Sequence, residues 1–233
     1  MTVIIGIKAY SHENEIVLSA DSQLTDVEDN KFPVSKITGF TKIATTNHWA
    51  MGFAGTYCPP LRTFYRNLKS EKGLETSIEI AVKNGYFEEV NLLNRNIAKK
   101  YGDDNSVHFI LAVNRPELGL YFVDKMGNVL DRPVDEDDTD DYLVIGSGSE
   151  SIDKFLENRI NALYVDKDGI TPGMAIKYAY EAIDRNEDIF TGGPVEIVTI
   201  SKKGVQNYGP ALRRSAKKAI RSELEKIIRE NTN

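Results

Sequence analysis

The chain has 233 residues, with 29 Lys and Arg against 35 Asp and Glu, so the formal charge is −6. This length can bury a sizeable core, and the mild acidity argues against a general nucleic-acid binder. The single cysteine, Cys58, allows no intrachain disulfide and no paired thiols for zinc or redox chemistry, which points to a reducing compartment, the cytoplasm. With only His12, His48 and His108, a multi-histidine metal centre or a Ser-His-Asp triad has few places to form.

No run of about 18 apolar residues occurs, so no membrane-spanning helix is expected. The start, Met1-Thr2-Val3-Ile4-Ile5-Gly6-Ile7-Lys8, lacks the basic and apolar regions of a signal peptide, and regular structure is expected to begin at residue 2. Thr2 to Lys8 and Glu15 to Ala20, both rich in β-branched side chains, read as a β-hairpin. Lys42 to Thr45 and His48 to Ala54 read as a second hairpin around Asn47. From Pro59, apolar residues recur at helical spacing, giving one helix through Leu68 and another over Ser77 to Tyr101.

Strands return at Val107 to Val113, Gly119 to Asp124, Val129 to Leu130 and Tyr142 to Ile145, which read as a second antiparallel sheet. Helices follow at about Ser149 to Leu163 and from the Thr171-Pro172 start to Arg185, the threonine being a good cap and the proline a good first residue. Pro194 to Ser201 reads as a strand. Ala211 to Glu230 places Leu212, Ala216, Ile220, Leu224 and Ile227 on one stripe, an extended amphipathic C-terminal helix.

Strands and helices come in blocks, with no Pro/Ser-rich linker and no change in composition. The expected fold class is therefore α+β, two antiparallel sheets packed together and covered by helices, in a single domain over 1–233.

The acidic run Asp135 to Asp141 reads as a solvated loop, since it lacks the central glycine and terminal glutamate of an EF-hand. Asp166-Lys167-Asp168-Gly169 reads as a turn. Gly146-Ser147-Gly148-Ser149 lies at a strand-to-helix junction, where helix amides can cradle an anion; alone, a tight turn with a cap is the plainer reading.

A different chemistry suits so few histidines and cysteines. A chain-terminal Thr2 carries both a hydroxyl nucleophile and an α-amine base of pKa about 7.7–8.0. This requires removal of Met1, which a small second residue permits. A cation beside the nucleophile depresses the amine pKa and favours the deprotonated hydroxyl, a role assigned to Lys36, with Asp21 holding that lysine in place. A plain Asp21–Lys36 ion pair is the alternative reading.

With these pieces in view, the chain from Thr2 to about Tyr208 resembles the proteasome β-subunit family of N-terminal-nucleophile hydrolases. The matching segments are Thr2 to Lys8, Ala20-Asp21-Ser22 through Thr25, Lys36-Ile37, Met51-Gly52-Phe53-Ala54-Gly55, Ile145 to Ser149, and Asp188 to Ile200 with Thr191-Gly192-Gly193. The resemblance implies a four-layer α/β/β/α sandwich. It also implies Thr2 as nucleophile, Asp21 and Lys36 as its supporting pair, and the Gly52 amide as oxyanion donor, a contribution of roughly 3–4 kcal/mol to the barrier.

Ser147, Asp188 and Thr191 resemble the group that orients the terminal amine, Thr191 standing where the family usually has serine. Thr25 resembles the segment that pairs with an extended peptide, and Ala50 the floor of the specificity pocket, roomy because its side chain is small. The implied partners are a peptide or unfolded protein substrate, further copies in a ring-like homo-oligomer and a regulatory ATPase. No cofactor, metal, nucleic acid or membrane is implied.

The long first hairpin, the short interval from Asp21 to Lys36 and the C-terminal helix depart from the family pattern and suggest a divergent, stand-alone relative. Three functions fit: a threonine-type peptidase acting through an acyl-enzyme at Thr2, a peptide ligase or transpeptidase using the same intermediate, and a non-catalytic ring subunit.

Overall fold

The computed structural model describes residues 3–10, 14–28, 32–37, 40–68, 74–131, 141–146, 148–166, 169–185 and 192–211. The chain forms β1 (Val3–Tyr10), β2 (Asn14–Asp21), β3 (Leu24–Glu28), β4 (Phe32–Ile37), β5 (Ile43–Thr45) and β6 (Trp49–Gly55). Three helices follow, α1 (Pro59–Leu68), α2 (Leu74–Asn84) and α3 (Glu88–Tyr101), then β7 (Val107–Val113), β8 (Gly119–Val123), β9 (Val129–Leu130) and β10 (Tyr142–Gly146). The last described elements are α4 (Ser149–Asp166), α5 (Pro172–Arg185), β11 (Val195–Ser201) and β12 (Gly204–Ala211).

Both expected hairpins form. Ile4 pairs with Ala20 and Tyr10 with Asn14 in the first, and Ile43 pairs with Gly52 in the second. The partition into sheets differs from the expectation. Strand β10 returns to the edge of β1, giving the order β10-β1-β2-β11-β12, while β5 and β6 cross into the other sheet, β5-β6-β7-β8-β9. Strands β3 and β4 form a separate two-stranded ribbon that joins neither sheet.

Three apolar clusters explain the layering. Ile4, Leu18, Ala20, Ile43, Ala50, Ile110 and Val198 fill the space between the two sheets. On the outer face of the first sheet, Val3, Ile5, Ile7 and Val17 pack against Ile176, Ala179 and Ile183 of α5 and Leu156 of α4. On the outer face of the second, Met51, Phe53, Phe109 and Leu111 pack against Leu61 and Phe64 of α1, Ile78 of α2 and Val90 and Ile97 of α3. Alternate residues of β1 and of β6 therefore face different cores, as the period of two demands, and helices cover both outer faces.

Local chemistry accounts for several boundaries. Helix α5 begins as expected: the Thr171 hydroxyl accepts the Met174 N–H at 3.3 Å, with Pro172 in the first turn. The single helix expected over 77–101 is instead broken. Gly85 takes φ +70°, the Phe87 N–H donates to the Gly127 carbonyl, and the Val129 N–H donates to the Gly85 carbonyl. The break thus supplies backbone partners to the turn before β9, a tertiary bond invisible to periodicity. The helix expected over Ala211 to Glu230 lies outside the described residues apart from Ala211, which ends β12.

His108 of β7 stacks on Phe122 with ring centroids 5.6 Å apart. Burial pushes its imidazole below the ordinary value of 6.5; Asp124 pulls it up and Lys125 pushes it further down. The unfolded chain therefore binds a proton that the fold refuses, so stability falls as pH drops through 6.5 towards the lowered folded value. Urea unfolding should show the stability of wild type relative to His108→Phe declining between about pH 7.5 and pH 5. A difference independent of pH would contradict this assignment.

Candidate active site

The end of β2 and the end of β10 meet at the start of β1. Asp21, the last residue of β2, is fully buried, and one of its oxygens, Oδ1, accepts the Val3 backbone N–H at 2.8 Å. That nitrogen belongs to the peptide bond joining Val3 to residue 2. The same Oδ1 lies 2.9 Å from the Lys42 ammonium, itself fully buried. The other oxygen, Oδ2, accepts the Gln23 and Gly192 N–H groups, each at 3.2 Å. One carboxylate therefore receives three backbone donors and a cation, from four separate stretches of chain.

Among the described side chains, the lysine paired with Asp21 is Lys42 and not the expected Lys36. Lys36 lies on β4, opposite Thr25 of β3 in the separate ribbon. Its side chain is outside the described set. Between β3 and β6 the sequence carries the dipeptide Lys-Ile twice, at 36–37 and 42–43. In the second of these Ile43 begins β5, pairs with Gly52 and packs in the core between the sheets, which carries the lysine before it into the buried region beside β1. The signal was available, since Lys42 opens the segment read as the second hairpin.

Gly52 of β6 also lies at this end. A Cβ there would meet the Ile4 Cγ2 at 2.8 Å, inside van der Waals contact, so the close approach of β6 to β1 requires glycine. Ala50 is fully buried in the core between the sheets. An open groove of about 840 Å³ is lined by Thr41, the residue before Lys42, and by Phe40, Tyr57, Arg62, Tyr65 and Arg66 among others.

Thr2, Ser147, Asp188 and Thr191 lie outside the described residues, but chain neighbours of three of them converge here. Gly146 pairs with Val3, Gly192 donates to Asp21, and Val3 follows Thr2. Thr25 stands on β3, two residues beyond Gln23.

Sequence reasoning missed a second buried acid. Glu196 of β11, 4% exposed, accepts the backbone N–H groups of Lys42 and Ile43 on its Oε2, at 3.0 and 3.2 Å. The Tyr65 hydroxyl of α1 lies 3.1 Å from the Lys42 carbonyl and 3.0 Å from that of Met51. Burial, with the Glu196 charge adding to it, pushes the Tyr65 phenol well above 10. Only their burial marks these residues, and burial was not readable at a lone Glu within a strand. Among the described residues no three His, Cys, Asp or Glu side chains are placed to hold a metal, and no helix is long and apolar enough to cross a membrane.

A two-sheet α+β protein with a buried carboxylate–ammonium pair against the first residue of its first strand is the class that fold and site define. No family model matches the chain. It is 30% identical over 213 residues to a proteasome subunit beta of Nanoarchaeum equitans (strain Kin4-M), an alignment covering 88% of this chain and 96% of the relative. The chain belongs to the proteasome β-subunit family.

A buried ion pair stripped of one partner leaves an uncompensated charge, at a cost of about 3–5 kcal/mol. Asp21→Ala and Lys42→Met should each lose about that much in urea unfolding, and the double variant should lose clearly less than their sum. A Lys36→Met and Asp21→Ala cycle should be additive. Coupling of Asp21 to Lys36 rather than to Lys42 would overturn the pairing.

Proposed function

We propose that the chain is a threonine-type peptidase whose nucleophile is the hydroxyl of Thr2, exposed by removal of Met1. The observation that carries this reading is the buried Asp21–Lys42 pair bonded to the amide of residue 3, in a chain of the proteasome β-subunit family. A cation anchored one residue from the terminus depresses the pKa of the Thr2 amine and favours the deprotonated hydroxyl. Lys42 takes the role first assigned to Lys36.

In the proposed reaction the Thr2 oxygen bonds to the substrate carbonyl carbon while its proton passes to the α-amine. The Gly52 amide donates to the oxygen that becomes negative, and the C–N bond breaks as the amine returns the proton to the leaving nitrogen. Water then opens the ester by the same route in reverse. Ser147, Asp188 and Thr191 orient the amine, and Thr25 pairs with the extended peptide. An N-terminal-nucleophile fold, a ring-like homo-oligomer in the cytoplasm and a regulatory ATPase belong to the same proposal.

Fluorogenic peptides should be cleaved by protein shown by intact mass to lack Met1. Thr2→Ala and Lys42→Ala should each lose at least about 100-fold in kcat, and Lys36→Ala should stay within about threefold. Equal rates for wild type and Thr2→Ala would exclude Thr2 as nucleophile. Peptides joined rather than cut would make the enzyme a ligase, and an unreactive wild type lacking Met1 would make it a non-catalytic subunit.

A further inference from the structure

Asp21 fixes the far end of Lys42, yet a lysine side chain has four rotatable carbon–carbon bonds and reaches the same point from many backbone positions. What places the Lys42 backbone is therefore a separate matter. Lys42 stands one residue before β5, outside the ladder in which Ile43 pairs with Gly52. Its peptide groups are held by side chains from two other layers. The Glu196 Oε2 takes the N–H groups of Lys42 and Ile43 together, and the Tyr65 hydroxyl bridges the carbonyls of Lys42 and Met51.

Glu196 is itself rigidly placed. It pairs with Ala20, the residue before Asp21, and its carbonyl accepts the Ser19 hydroxyl at 3.0 Å. The strand carrying Asp21 is thus the strand on which Glu196 is registered. Any shift of β11 along β2 moves the holder of Lys42 relative to the partner of Lys42. A buried carboxylate is also a costly choice for an acceptor that an apolar core could avoid, unless its two bonds are needed.

We infer that Glu196 is a positioning residue: through the Lys42 and Ile43 amides it sets the register of the lysine backbone, so that the ammonium meets Asp21 beside residue 2. This rests on the reading of Thr2 as nucleophile. The device depends on where one lone-pair-bearing oxygen sits. Glu196→Gln keeps an oxygen at the same reach and can accept both N–H groups. Glu196→Asp keeps the charge but withdraws the oxygen by one methylene.

The test compares wild type, Glu196→Gln and Glu196→Asp, all lacking Met1, with stability followed by urea unfolding. The peptide substrate is that of the wild-type assay, and the lysine ammonium groups are observed by NMR in 15N-lysine protein with Lys42→Arg as the assignment control. Glu196→Asp should lose at least about tenfold in kcat with KM within about twofold, move the acidic limb of kcat/KM upward in pH, and shift the Lys42 signal. Glu196→Gln should recover to within about threefold in kcat, with its Lys42 signal near the wild-type position.

A folded Glu196→Asp with wild-type kcat, pH profile and Lys42 signal would overturn the inference. So would losses in both variants with the Lys42 signal unmoved, since the residue would then act by something other than placing the lysine. If wild type itself is unreactive, the proposed function fails, while the Lys42 signal in Glu196→Asp still decides whether Glu196 places the lysine.

Discussion

The carboxylate of Asp21 is the point on which the arrangement depends. It is fully buried, and it joins the N–H of Val3, the N–H of Gln23, the N–H of Gly192 and the ammonium of Lys42. Each donor comes from a segment with its own reason to be there: β1 by pairing with β2, the turn after β2 by chain continuity, Gly192 by its approach to β11, and Lys42 by the start of β5. An unpaired charge at such a depth is too costly to persist, so the four segments cannot drift apart independently. The residue whose amide is tied most closely is the one that follows Thr2.

The two sheets supply this convergence. Residues of opposite parity on β1 face opposite ways: Val3 and Ile5 towards α5, Ile4 towards β6. Ile4 and Gly52 close the gap between the sheets at the end where Asp21 and Lys42 meet, and the absence of a Cβ at Gly52 allows that contact. The helices bury the outer faces, and Tyr65 of α1 reaches through to the Lys42 and Met51 carbonyls. Site and scaffold are thus joined by hydrogen bonds from three layers rather than by one loop.

Much of this was legible in the sequence. The β-branched runs Thr2 to Lys8 and Glu15 to Ala20, the turn at Asn47 and the Thr171-Pro172 start each pointed to elements that the described residues form. Asp21 and Gly52 were singled out and lie where the site is built. What was not legible depended on contacts across the fold. The strand order within each sheet was hidden because β10 returns to β1 and β5 leaves with β6. The polar strands 24–28 and 32–37 lack an alternating apolar pattern, and the break at Gly85 is stabilised by bonds to Gly127 and Val129. The choice between two Lys-Ile pairs turned on pairing with Gly52, which only the folded sheets display.

The central claim is that the Asp21–Lys42 pair serves a nucleophile at residue 2. Its most direct test is covalent: protein lacking Met1 is incubated with an electrophilic peptide that acylates hydroxyl groups, and the modified residue is located by proteolysis and mass spectrometry. The account predicts one stoichiometric adduct on Thr2, formed in wild type and suppressed in Lys42→Met. Stoichiometric modification at another residue, or labelling of Thr2 that proceeds unchanged without Lys42, would contradict it.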